Sequence, residues 1–196
     1  MVPRHRCSRR VPTERKRDHM ATVATFTIQF PCRRVAELAH RFPPVDDSAC
    51  EAAGACARAR GHYKRVEFLL VCAWKSPRSG PRVAANHEGA VRDATGRALA
   101  ATDEATRMAA LLELNGVGVP TASTLLYFAF PAQYPILDVR ALESLSVKPR
   151  SQYPVSFWLS YLEACRTLAA RCGVSIRTLD KALWQYSKER SAAPRL

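Results

Sequence analysis

The stretch Leu114-Asn115-Gly116-Val117-Gly118-Val119-Pro120-Thr121-Ala122 constrains this chain more than any other. Two glycines flank one apolar residue, a spacing at which the backbone can turn through conformations closed to residues with a Cβ. Met108, Leu111, Leu112 and Leu114 precede the turn at helical spacing, and the run from Ala122 to Phe130 is apolar almost all round. The first pattern predicts one face of an amphipathic helix, the second a helix buried on every side. Pro120 suits the first turn of that second helix, where its missing N–H is not needed. A hairpin of this kind leaves backbone N–H groups pointing outward beside a helix N-terminus, which is a ready anion site.

Helical spacing accounts for most of the remainder. Val35, Leu38, Ala39 and Phe42 share one face of a helix ended by Pro43-Pro44, and Asp46, Asp47 and Ser48 offer N-caps for an alanine-rich helix that stops near Gly61. From Tyr63 to Lys75, the residues Val66, Leu69, Leu70, Ala73 and Trp74 predict the packed face, with Glu67 interrupting it or lying at its margin. Ser76 to Arg82 reads as a basic, proline-broken loop. Asn86 is placed to cap a helix that Gly96 closes, and Thr102-Asp103-Glu104 starts the helix leading into the hairpin. Beyond the buried run, Pro131 and Pro135 bracket a loop that delivers Asp138 as the natural N-cap of a short helix. A long helix over 155–172 and a final one after Ser175 complete the chain. Only Thr22 to Phe30 alternates like a strand, and without a partner it reads as an extended segment laid on the core. The expected class is all-α: about eight helices in one compact domain over 21–190, with tails at 1–20 and 191–196.

The formal charge is +13, with 30 Lys and Arg against 17 Asp and Glu. That balance fits an arginine-rich solvated surface or a polyanion partner equally well, nucleic acid being the commonest such partner. Residues 1–20 contribute seven basic residues against Glu14 and Asp18, so the rest of the chain is still at +8. This tail is expected to be disordered, as a DNA-contacting arm or as an artefact of the assigned start, Met20 being an alternative one. No apolar run approaches the roughly 18 residues of a membrane span, and no apolar segment follows the basic start as in a secretory signal. Seven cysteines, an odd number at irregular spacings, suit free thiols in a reducing cytoplasm, with Cys72 and Cys165 as small core residues. The expected location is cytoplasmic, nucleoid-associated in a bacterial cell.

The hairpin and Asp138 together resemble the HhH-GPD superfamily of base-excision DNA glycosylases, whose pattern is L-P-G-V-G-x-x-T-A followed by a catalytic aspartate. The family's second glycine typically lies 20 residues before that aspartate, and Gly118 lies 20 before Asp138. Tyr-Pro-Ile-Leu-Asp at 134–138 is similar to the approach to the aspartate in the adenine-glycosylase branch. The resemblance covers about 30 residues of the chain. It implies a helix-hairpin-helix glycosylase fold, a monomer, and damaged double-stranded DNA as partner. It also implies that Asp138 is catalytic and that the backbone of Gly116, Val117, Gly118, Val119 and Thr121 holds a phosphate. Carbonyls of Leu112, Leu114 and Val117 match positions that bind a monovalent cation, K+ or Na+. The chemistry agrees, because breaking an N-glycosidic bond passes through an oxocarbenium-like state that a carboxylate stabilises, on a nucleotide flipped out of the duplex. Without the hairpin, Asp138 reads as a plain helix cap.

Other residues extend the candidate site. Trp74, Lys75, Arg78 and Asn86 group an aromatic, two cations and an amide, a mixture that contacts phosphate and stacks on bases, although Trp74 taken alone reads as packing. Trp74, Glu67 and Asn86 are the base-pocket candidates, and Glu67 is the one evident second acid. Arg140 either binds phosphate or pairs with Asp138. Pro120 occupies the position of the Schiff-base lysine of bifunctional members, which excludes lyase chemistry from the hairpin and leaves Lys75 as the substitute to consider. Cys165 and Cys172 reproduce the first gap of the family's iron–sulfur motif C-x6-C-x2-C-x5-C, but Ser175 and Lys181 stand at the other two ligand positions. No iron–sulfur cluster and no required cofactor are expected. The resulting expectation is a monofunctional DNA N-glycosylase; the alternative is a non-catalytic helix-hairpin-helix DNA-binding protein.

Overall fold

Ten α-helices form among the described residues, 25–192, of this computed structural model. The basic tail 1–20, the start of the alternating segment and residues 193–196 lie outside that range. The helices are α1 (Val35–His40), α2 (Ser48–Arg60), α3 (Arg65–Lys75), α4 (Gly80–Ala84), α5 (Glu88–Ala100), α6 (Glu104–Leu112), α7 (Val119–Ala129), α8 (Val139–Ser144), α9 (Val155–Cys172) and α10 (Ile176–Ala192). No strand forms among the described residues, and the all-α expectation holds. The alternating segment is extended and donates two amides to the end of α8, Thr27 N to Leu145 O and Gln29 N to Ser144 O.

α7 is buried from Thr121 to Ala129, as its all-round apolar sequence requires, and α2, α3 and α6 pack around it. α2 comes closest. A Cβ placed on Gly54 would lie 2.1 Å from the Phe128 carbonyl oxygen, so the two backbones touch where only glycine fits. A second group forms around α10, which packs on α1, α8 and α9. The two groups meet where the end of α3 and the loop before α8 face α10.

Three local expectations change. Along α3 the packed stripe is Phe68, Val71 and Cys72, whereas Val66 is 70% and Leu70 41% exposed. The helix is apolar nearly all round, so spacing alone fits either stripe. Residues 76–84 are not a loop but a 3₁₀ turn (Pro77–Ser79) running into α4, each with a proline in its first turn, where the missing N–H costs nothing. α5 continues through Gly96 to Ala100, and His87 caps it in place of Asn86, its Nδ1 accepting from Ala90 N at 3.1 Å.

The cysteines also differ. Cys32 and Cys172, 140 residues apart, form a disulfide that ties the start of α1 to the end of α9. Cys50, Cys56, Cys72 and Cys165 are free, and burial pushes the Cys72 thiol up to about 12, so it is an inert core residue. No described helix is long and apolar enough to cross a membrane.

Candidate functional site

Asp138 ends a loop that is pinned at three points. Tyr134 Oη donates to Glu104 (3.0 Å), Tyr161 Oη donates to the Ile136 carbonyl (3.0 Å), and Leu137 N donates to Ser123 Oγ (3.0 Å). Ser123 in turn donates to the Pro120 carbonyl (2.8 Å), so one hydroxyl couples the first turn of the hairpin's second helix to the residue before Asp138. Asp138 caps α8, its Oδ1 accepting from Arg140 N at 2.9 Å. Its Oδ2 accepts from Lys75 Nζ at 2.8 Å, a contact across the junction of the two helix groups.

These two residues line a cavity of about 470 Å³ together with Phe42, Val45, Trp74, Arg177, Asp180 and Trp184, among others. That size lies within the range of small-molecule pockets, and most of the wall is apolar or aromatic. Phe42 and Trp184 meet edge to face at 5.1 Å, and Trp74 packs likewise on Phe128 at 5.3 Å. Trp74 is therefore both packing and wall, and its indole N–H donates to Asp47 Oδ1 at 3.0 Å. Asp47 also accepts from Arg177 (2.8 Å), which reaches Asp180 with its other nitrogen (3.2 Å). Burial, opposed mainly by Arg177, pushes the Asp180 carboxyl up to about 6.

The hairpin borders a neighbouring recess with Arg82, Ser151, Gln152 and Tyr153. Gly116 adopts φ +76°, and a Cβ there would also lie 2.9 Å from Arg82 and Val83, so this glycine is required by the turn and by α4. Gly118 is different. It is exposed and extended (φ −103°), and a Cβ would meet only Pro120 Cδ at 3.7 Å. The amides of Gly118, Val119 and Thr121 have no hydrogen-bond partner among the described residues. Leu112 and Val117 border the recess, and the Leu114 carbonyl accepts from Val117 N at 3.1 Å, leaving one lone pair.

The remaining sequence candidates are distributed elsewhere. Glu67 does not reach the cavity: it pairs with Arg60 through both oxygens (2.8 and 2.9 Å) and accepts from Lys64 N at the start of α3. Asn86 is buried outside the cavity and clamps the hairpin, with Oδ1 accepting from Asn115 N and Nδ2 donating to Asn115 O, both at 2.9 Å. Arg140 makes no ion pair with Asp138 and stacks its guanidinium over Trp184 at 5.2 Å. Arg78 is exposed after α3, whereas Lys75 is turned inward with its side chain 12% exposed, so these two cations do not form one surface patch. Arg177, Asp180 and Trp184 are cavity residues that sequence reasoning missed, as is the role of Asp47 in holding Arg177 and Trp74. The one signal for them is Arg177, Asp180 and Trp184 recurring at i, i+3 and i+7 among the apolar positions of α10. Among the described residues, no three His, Cys, Asp or Glu side chains are grouped to hold a metal ion.

Removing the Asn86 side chain breaks both part-buried hydrogen bonds to the Asn115 backbone, which at about 0.5–1.5 kcal/mol each costs about 1–3 kcal/mol. Asn86→Ala is expected to lower the denaturant midpoint accordingly, and an unchanged midpoint would show that the clamp does not hold the hairpin.

No protein-family model matches the chain, and no curated protein or solved structure matches it.

Proposed function

We propose that this protein binds double-stranded DNA through the glycine hairpin and acts as a monofunctional DNA N-glycosylase, with Asp138 stabilising the oxocarbenium-like state. The observation that carries the reading is the pairing of an aromatic-walled cavity holding Asp138 with a hairpin, tied through Ser123 to the residue before Asp138, whose exposed Gly118 no internal contact requires. A glycine without an internal reason fits close approach of another backbone, and unpartnered amides beside it fit a phosphate oxygen. A cation on the carbonyls of Leu112, Leu114 and Val117 would add positive charge at the same place. With the phosphates anchored there, a flipped nucleotide would enter the cavity walled in part by Phe42, Trp74 and Trp184. Exposed Val45, which lines the cavity, and exposed Val139, which follows Asp138, would offer apolar contact to the bases left behind.

Base release from a panel of damaged duplexes, read as alkali-labile abasic sites, tests the reading; release from none of them would sink it. Gly118→Ala separates DNA anchoring from folding. It should leave thermal stability within about 0.5 kcal/mol, since its Cβ has space, while weakening duplex binding about tenfold or more at fixed salt. Unchanged affinity would remove the hairpin from the interface.

One contact favours a second reading. Lys75 Nζ lies 2.8 Å from Asp138 in the cavity, the arrangement of an amine nucleophile beside its base. Borohydride reduction of the protein with abasic duplex decides between them: a covalent complex lost in Lys75→Gln supports the amine, and none supports water.

A further inference from the structure

The cavity holds more acid than the sequence suggested. Two carboxyl groups, Asp138 and Asp180, line it with two cations, Lys75 and Arg177, and Asp47, which does not line the cavity, also pairs with Arg177. Lys75 is committed to Asp138 at 2.8 Å, and Arg177 lies closer to Asp47 (2.8 Å) than to Asp180 (3.2 Å). Asp180 thus holds a shared cation at the longer distance and, at 8% exposed, is buried. Its other ionisable neighbours are Tyr127 on α7 and Tyr161 and Cys165 on α9, which stay neutral near pH 7 because their own ionisation is pushed up by burial. Arg140 and Lys188 lie over Trp184 and Lys181 over Phe42, engaging the ring faces. A buried carboxyl that shares its one paired cation with a second carboxylate relieves the cost of burial by keeping a proton.

We propose that Asp180 is the general acid of this site, protonating the base as it leaves, and that the site acts on bases that depart as neutral molecules. The proposal rests on the glycosylase reading. In the step, the C1′–N bond breaks with its electron pair going to the base. The Asp180 proton goes to a ring nitrogen or exocyclic oxygen of that base. A water oxygen bonds to C1′, and the water's proton passes to Asp138 and then to solvent, while Asp180 is reprotonated from solvent. Two carboxyls in one cavity, one with a cation to itself and one buried and sharing its cation, are an arrangement that separates an ionised group from an acid, as acid-assisted glycosidic cleavage requires.

The leaving group provides the test. Duplexes carrying hypoxanthine, which leaves as an anion unless protonated, are compared with duplexes carrying 7-methylguanine, which leaves neutral without help. Under single turnover, Asp180→Asn should slow hypoxanthine release by about 10²-fold or more and leave 7-methylguanine release within about threefold. The wild-type protein alone should show hypoxanthine release falling about tenfold per pH unit above about 6, with a flat profile for 7-methylguanine. Equal effects of Asp180→Asn on both bases, two parallel pH profiles, or release of neither base overturn the proposal while the glycosylase reading stands; only release of no base from the whole panel overturns both.

Protonation of Asp180 has its own readout. An acid whose folded value is raised from 3.8 to about 6 contributes stability below pH 4 that is lost as pH rises to 6. The melting temperature of Asp180→Asn relative to wild type should therefore be higher at pH 8 than at pH 4.5. A difference that does not change with pH would mean that Asp180 holds no proton in this range.

Discussion

Asp138→Asn is expected to lower the rate of base release by roughly 10³-fold while leaving the fold and duplex binding in place. The amide keeps the shape of the carboxylate, and its oxygen can still accept from Arg140 N, so the cap of α8 survives. What goes is the negative charge facing Lys75, and with it the group that would stabilise positive charge at C1′. Losing one preorganised electrostatic partner in a water-poor site costs about 10²–10³ in rate, and loss of the water-orienting base adds to it. The non-catalytic alternative predicts that Asp138→Asn changes stability and nothing else. Single-turnover release, with duplex affinity measured alongside, separates the two: a rate loss at constant affinity supports catalysis, and equal rates contradict it.

The largest structural effect is expected at Gly54. A methyl group there would sit 2.1 Å from the Phe128 carbonyl oxygen and 2.3 Å from its carbon. Backbone atoms cannot rotate away as a side-chain tip can, so α2 must move off α7 along a buried contact. Overpacking of this kind costs about 1–3 kcal/mol and occasionally more, and a clash with backbone belongs at the upper end. Against a total stability of about 5–15 kcal/mol, Gly54→Ala should lower the melting temperature by roughly 10 °C or more, or prevent folding. Gly80→Ala is the control: its Cβ meets nothing within 4 Å, and its melting temperature should stay within a few degrees of wild type. Similar melting temperatures for all three proteins would show that α2 and α7 do not touch as closely as their backbones suggest.

Whatever depends on neighbours in the chain was legible beforehand. The hairpin turn, the capping role of Asp138, Asp103 as the cap of α6 and the all-round burial of α7 are local patterns, and each appears where its residues predict. The cap role of Asp47 illustrates the boundary. It does precede α2, but its side chain turns away from the helix to Trp74 and to Arg177, 130 residues further on. Nothing within a helical period announces such a partner. The same holds for Asn86 reaching Asn115, for Cys32 reaching Cys172, and for the two stripes of α3 that spacing cannot rank. Glu67 was misplaced for the opposite reason, since its partners Lys64 and Arg60 are close in sequence and absorb it locally. The second carboxyl lining the cavity therefore comes from α10 and not from α3.

The central claim, that Asp138 faces the sugar carbon of a nucleotide anchored by the hairpin, can be measured without knowing the lesion. A duplex carrying one pyrrolidine abasic nucleotide, whose ring nitrogen is cationic where the oxocarbenium charge develops, is compared with the same duplex carrying a neutral tetrahydrofuran abasic nucleotide. The wild-type protein should bind the cationic duplex at least about 100-fold more tightly at fixed salt, and Asp138→Asn should abolish most of that preference. Equal affinity for the two duplexes, or a preference that survives in Asp138→Asn, would contradict the assignment.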